Sequence, residues 1–176
     1  MTTRIRLLDP SDSADLAQLY RANRDYLNPY EPTRPGSFFT EAGQNEMAER
    51  KLIDWAAGLG APFVILDDDG AVVGAINLND VVRGAYQNAH VGYWVSEHAS
   101  GRGLAKEALH SAAAFAFDFL GLHRLQAATL TGNDRSQAVL LACGFQEFGL
   151  APNYLRIDGE WRDHRLFQLL APSPES

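Results

Sequence analysis

Apolar and polar positions along the chain change period several times, and each change marks an element. Residues 4–8, RIRLL, alternate charged with apolar side chains, the period of a strand with unlike faces. Asp9-Pro10 ends that run, and Ser11 is placed to cap a helix. Leu16, Leu19, Tyr20, Asn23 and Leu27 recur at helical spacing and carry that helix. NPYEPTRPG (28–36) then puts three prolines in nine residues, which predicts an ordered loop because proline fixes φ and lacks a donor. Thr40 caps a second helix through Met47, Leu52, Ile53 and Trp55, stopped at Gly58 and Gly60. PFVILDDDGAVVGAINL (62–78) reads as two strands around an Asp-Gly turn, and AHVGYWVS (89–96) as a further strand. Residues 103–120 place Leu104, Ala108, Leu109, Ala112, Phe115, Ala116 and Phe119 in one wide helical stripe. RLQAATL (124–130) is a strand. NDRSQAVLLACGF (133–145) is a short helix, capped by Asn133 or Asp134 and ended by Gly144. YLRIDGEWRDHRLFQLL (154–170) is a hairpin turning at Asp158-Gly159, and APSPES (171–176) is a frayed tail.

The predicted order is β-α-α-β-β-β-α-β-α-β-β. Helices and strands alternate only in the second half, which favours one mixed α/β sheet of the α+β type with helices on both faces. No repeat or linker interrupts 1–170, so that span is expected to be one domain.

Composition narrows the classes. Apolar residues make up 46% and charged residues 21%, ordinary for a soluble globular chain. No apolar run is long enough to span a membrane, and the start lacks a signal layout. Cys143 is the single cysteine, which fits a reducing cytoplasm and excludes an internal disulfide. A net charge of −7 without a Lys/Arg run argues against nucleic acid as a partner. The Asp67-Asp68-Asp69-Gly70 run suits a turn better than a calcium loop, and the five histidines show no metal-ligand spacing. There is no G-x-S-x-G elbow.

The candidate chemistry sits in SGRGLAKEAL (100–109). Two glycines at a helix start suggest a phosphate held by backbone N–H groups and helix polarity. A dinucleotide fingerprint fits Gly101 and Gly103 but meets Lys106 at the third glycine position. A P-loop fails. An R/Q-x-x-G-x-G/A loop fits at Gly103 and Ala105, with Ser100 where Arg or Gln is usual.

The order GYWV, glycine loop, helix, strand, NDRSQAVLLACGF resembles the GNAT acetyltransferase superfamily. The Asn133, Ser136, Gly144, Phe145 spacing is shared. NRDYLNPYEP (23–32), NDVVRGAYQNAHVGY (79–93) and NYLRIDGEWRDH (153–164) are similar to the RimJ/RimL-type branch, the ribosomal-protein-alanine N-acetyltransferases. The resemblance implies a GNAT fold with a largely antiparallel sheet of about seven strands. It implies acetyl-CoA as donor, no metal, and direct transfer to a protein N-terminal α-amine. It implies that backbone groups of Trp94 and Val95 receive the pantetheine arm, and that Gly101, Arg102, Gly103, Leu104, Ala105 and Lys106 hold the diphosphate. Asn133 would bind the arm and Arg135 a phosphate. Ser136 matches the general acid position of Rim-type relatives, with Tyr154 a second candidate. The glutamate that some of them carry before the last hairpin corresponds to Leu155, so that base does not carry over.

An α-amine titrates near 7.7–8.0, so roughly a third is neutral at pH of about 7.5, whereas a lysine amine is only roughly 0.1% neutral. A weak base therefore suffices for an α-amine. Glu31 in the proline loop is the first candidate and His90 the second. Loops 28–36 and 152–158 are expected to wall the acceptor site. Two other readings stay open: the same chemistry on a small amine, and a non-catalytic CoA-binding domain. The assembly is expected to be a monomer or a homodimer.

Overall fold

The computed structural model describes residues 4–172, so the expected frayed tail lies, from residue 173 on, outside the described residues. Seven strands form one sheet in the order β1-β2-β3-β4-β5-β7-β6. They are β1 (Ile5–Leu7), β2 (Ala61–Leu66), β3 (Val72–Val82), β4 (Asn88–Val95), β5 (Arg124–Leu130), β6 (Gln146–Ile157) and β7 (Glu160–Leu170). All neighbours pair antiparallel except β4 with β5. Helices α1 (Ser13–Ala22), α2 (Arg24–Leu27), α3 (Glu41–Ala56), α4 (Leu104–Ala114) and α5 (Asp134–Ala142) complete the fold.

Strand β2 shows why helices lie on both faces. Ala61–Ile65 is buried at every position, as an unbroken apolar run must be. Phe63 and Ile65 join the cluster beneath α4 and α5 with Leu109, Leu125, Leu140 and Phe167. Val64 faces the other way and packs with Leu16, Ala48, Ala75 and Trp94 beneath α1 and α3.

Four local readings change. Asp9, not Ser11, caps the first turn: its carboxylate accepts from Ser11 N–H at 2.9 Å, and Asp12 answers from the far side of the turn by accepting Asp9 N–H. The helix expected through Leu27 breaks at Asn23, whose amide donates to Leu19 O while its Oδ1 accepts Glu97 N–H, both at 2.8 Å. The stripe over 103–120 ends in a widened π turn at Phe115–Phe119. Strand β6 begins at Gln146, so residues 152–158, expected as a loop, are mostly strand. Pro152 masked it, yet an edge strand tolerates a residue with no donor, and the register slips there, between Ala151 and Leu155.

The feature that creates a site is a parting of strands. β4 and β5 pair only at Asn88↔Arg124, Ala89↔Leu125 and His90↔Gln126. Beyond His90 the two strands have no ladder between them, and the sheet opens at its centre.

Candidate active site

Register decides which groups face the opening. Ser96 N–H donates to Val73 O at 2.8 Å, and Trp94 pairs with Ala75. Alternation then turns the peptide groups of Ser96 and Trp94 toward β3, and those of Val91, Tyr93 and Val95 into the gap. Of the two residues named from sequence, Val95 faces the gap with its backbone. Trp94 instead supplies its ring, tilted against the Tyr20 ring on α1 with centroids 4.5 Å apart.

The gap opens into a cleft of about 660 Å³ whose lining includes Val95, Gly101, Gly103, Lys106, Asn133 and Ser136. Gly101 and Gly103 have φ of +77° and +81°, which side chains rarely adopt. No atom lies within 4 Å of where a Cβ would stand on either glycine, so the loop is an open cradle. The first helical bond of α4 runs from Glu107 N–H to Gly103 O at 3.0 Å. The N–H groups of Leu104, Ala105 and Lys106 are therefore left at the helix mouth without intrahelical partners. The side chain of Leu104 is core, so only its backbone serves the cradle. Arg102 turns its guanidinium away to Asp68 at 2.9 Å, in a network completed by Arg4 and Glu107. Arg135 lines the cleft and donates to Tyr26 Oη.

Asn133 caps α5 by accepting Ser136 N–H at 3.2 Å. Ser136 Oγ lies 3.1 Å from Tyr93 Oη, and Tyr93 O–H also donates to Ser136 O at 3.3 Å. Burial pushes the Tyr93 phenol up to about 12, against the hydrogen bond from Ser136. Tyr93 lines the cleft, a place that no signal in the sequence assigns to it. Only the coming together of β4 and α5 joins it to Ser136.

The other end of the cleft is lined by Tyr30, Glu31, Arg34, Lys51, Gly92 and Ile157, among others. The proline segment is tied to the last hairpin, since Asp158 N–H donates to Glu31 O at 3.3 Å. Burial raises the Glu31 carboxyl above the usual carboxylate range, opposed by Arg34 and Lys51. Burial, and then the Arg34 charge, lower the Lys51 ammonium. Lys51 Nζ donates to Asn77 Oδ1 at 3.1 Å. Lys51 carried no signal in the sequence, where it reads as one charge on an amphipathic helix.

Two of the four catalytic candidates, Glu31 and Ser136, line the cleft, and the other two fall outside its lining. His90 sits on the last paired rung of β4 and β5, its Nδ1 3.8 Å from Asp80 Oδ2. Tyr154 is 38% exposed and leans on His164, while its neighbour Leu155 lines the cleft. His90 shares a face with Gly92 and Trp94, which line the cleft, but it lies where β4 and β5 are still paired, short of the opening. For Tyr154 alternation is the reason, since one residue along a strand reverses the face. Among the described residues no three His, Cys, Asp or Glu side chains group to hold a metal.

Residues 3–146 match the Acetyltransferase (GNAT) domain family. The chain belongs to the GNAT acetyltransferase family. The [Ribosomal protein uS5]-alanine N-acetyltransferase of Escherichia coli (strain K12) is 34% identical over 96% of this chain and 87% of its own length. The ribosomal-protein-S5-alanine acetyltransferase of Vibrio fischeri superposes with a TM-score of 0.91 at 30% identity, covering 98% of this chain and 94% of that one. Mycobacterium smegmatis RimJ, in complex with CoA-disulfide, gives 0.91 at 32% identity over 95% and 81%. This GNAT enzyme is an acetyl-CoA-dependent N-acetyltransferase. Its own geometry fits that donor: a cradle with open space over both glycines, free N–H groups at a helix mouth, and strand peptide groups facing an unpaired gap.

Proposed function

We propose that this GNAT enzyme acetylates the N-terminal α-amino group of a protein, of the ribosomal-protein-alanine kind. The observation that carries this reading is the charge balance at the acceptor end. One partly buried carboxylate, Glu31, stands there with two cations, Arg34 and Lys51. A single ammonium finds one partner in that arrangement. A polyamine would bring several cations against Arg34 and Lys51. The names of the relatives, 34% and 30% identical, point the same way.

Acetyl-CoA supplies an activated acyl group whose thiolate leaves readily. The chain's own groups do the rest. The cradle at 101–106 holds the diphosphate, and Val95 N–H is assigned to the oxygen where charge grows during attack. Glu31 holds the acceptor ammonium by charge, with Arg34 Nε 4.0 Å from Oε2 and too far to occupy it by hydrogen bonding. Tyr93 and Ser136 offer hydroxyl donors to the departing sulfur. A phenol held near 12 is a hydrogen-bond donor there rather than an acid that gives its proton up, and a thiolate of ordinary affinity near 8.5 needs no more. Asn133 and Arg135 are assigned to the pantetheine arm and a phosphate. Holding both reactants side by side supplies much of the rate. The 1–170 span acts as one domain in this reading.

The test is transfer itself. Purified enzyme with acetyl-CoA is offered peptides beginning with alanine, the same peptides with a blocked N-terminus and a free lysine, and a panel of small amines. Mass spectrometry is expected to show acetyl on the α-amine of the alanine peptides alone. Transfer confined to small amines overturns the proposal.

A further inference from the structure

Glu31 anchors a charge, but an ammonium must lose a proton before it can attack. We propose that His164 on β7 is the base that takes it, through Nε2. The inference rests on the acceptor end of the cleft described above, and it holds for whichever amine binds there.

Four observations place the ring. His164 lies three residues from Phe167, which is buried beneath α4 and α5, so His164 faces the opposite side of the sheet. It pairs with Leu130 of β5, and both line the cleft. The residue is only 3% exposed, so what reaches it arrives through the cleft. Its Nδ1 lies 2.9 Å from Arg162 O. A carbonyl oxygen only accepts, so Nδ1 carries the hydrogen, and the neutral ring keeps its lone pair on Nε2. The tautomer is thus set by the strand's own backbone in the form a base requires.

The surrounding strand is shaped to the same end. β6 bulges opposite His164: its register slips between Ala151 and Leu155, Asn153 takes φ of +49°, and Asn153 N–H donates to Asp163 Oδ1 at 2.9 Å. Bulges of this kind re-aim side chains beside sites. Here Tyr154 tilts its ring 5.5 Å from the imidazole and closes the outer side. The charged and titratable groups around this end include Tyr154 on β6, Tyr20 on α1, Tyr30, Glu31 and Arg34 on the proline segment, Lys51 on α3, and Arg162, Asp163 and Arg165 beside His164 on β7.

Chemistry favours this division of labour. Glu31 must stay ionised to hold the ammonium by charge, whereas a neutral imidazole with its hydrogen on Nδ1 offers an Nε2 lone pair that can take the proton. The balance closes. One N–H bond of the ammonium breaks, and its proton goes to Nε2 and then to water. The freed lone pair forms the C–N bond as the C–S bond breaks. The nitrogen sheds its second proton, and the sulfur takes one up.

The experiment has two arms. In the ligand-free protein, nitrogen-15 NMR of labelled histidine is expected to show an Nδ1–H tautomer that disappears in His164→Gln. An Nε2–H tautomer for that ring overturns the proposal without any turnover. In the second arm, kinetics use whichever acceptor the wild type prefers, so a wrong acceptor class and a wrong base are told apart. His164→Gln and His164→Ala, checked for folding by melting temperature, are expected to lose about 100-fold in kcat with acceptor and acetyl-CoA KM nearly unchanged. Added imidazole is expected to restore part of the His164→Ala loss. A kcat within threefold of wild type in either folded variant, or a loss seen only in KM, assigns the proton elsewhere.

Discussion

Lys51 shows how much one side chain can decide without touching the reacting atoms. The Arg34 guanidinium and the Lys51 ammonium oppose the burial that raises Glu31. Glu31 must be ionised to hold an ammonium. Removing Lys51 takes away one of the two cations that favour ionisation, so the Glu31 carboxyl rises further. The acidic limb of kcat/KM for the acceptor is then expected to move to higher pH in Lys51→Met, with the acetyl-CoA KM unchanged. A limb that stays in place separates Glu31 from acceptor binding. The linkage sign follows from the same directions. A carboxyl raised in the folded state favours folding only below its unfolded value, and that contribution is lost as pH rises through the folded value. Lys51, lowered, behaves conversely: its contribution is present above its unfolded value and fades as pH falls through the folded one. At neutral pH both groups therefore strain the fold for the sake of the site.

At the scale of elements, the site depends on junctions more than on the elements themselves. Asn23 is 4% exposed and holds two of them together, the α1–α2 break and the turn that leads from β4 to the glycine loop. Asn23→Ala leaves Glu97 N–H without its partner, at a cost of about 1–3 kcal/mol. The variant is expected to unfold at lower urea concentration and to show a raised acetyl-CoA KM, because the loop at 100–103 follows directly from that turn. An unchanged urea midpoint excludes this anchoring role. The elements themselves were largely legible. Leu16 and Tyr20 at helical spacing, the Asp-Gly turn at 69–70 and the stripe from Leu104 to Phe119 all name real structure. The misses share a cause. Asn23 fits a helical pattern while its side chain competes for the backbone, and Pro152 forbids a central strand but not an edge one.

The whole molecule carries a net charge of −7, yet its cleft gathers Lys106, Arg135, Arg34 and Lys51. A polyanionic donor binding the folded state alone stabilises it by about 2.7 kcal/mol at roughly 100 times Kd, several degrees in Tm for a chain of this size. Acetyl-CoA is expected to give that shift, and added salt to shrink it. Gly103→Val is expected to melt somewhat earlier on its own, because a φ of +81° disfavours a side chain, and to lose most of the acetyl-CoA shift. A full shift in that variant removes the cradle from the donor site. Local composition, not overall charge, governs this binding, because screening confines distant charges to their own neighbourhoods.

The amino-acid sequence by itself determined the order of elements, the mixed sheet, the glycine cradle at the head of a helix and a cap at Asn133 or Asp134. Each of these is written in residues near one another, where spacing, turn chemistry and missing side chains act locally. Tertiary structure alone decided that β4 and β5 part after His90, that Tyr93 meets Ser136, that Lys51 and Arg34 surround Glu31, and that His164 rather than His90 lines the cleft. Those contacts join residues far apart in the chain. They turn on strand register, where a shift of one position reverses a side chain's face, and no local pattern records that choice.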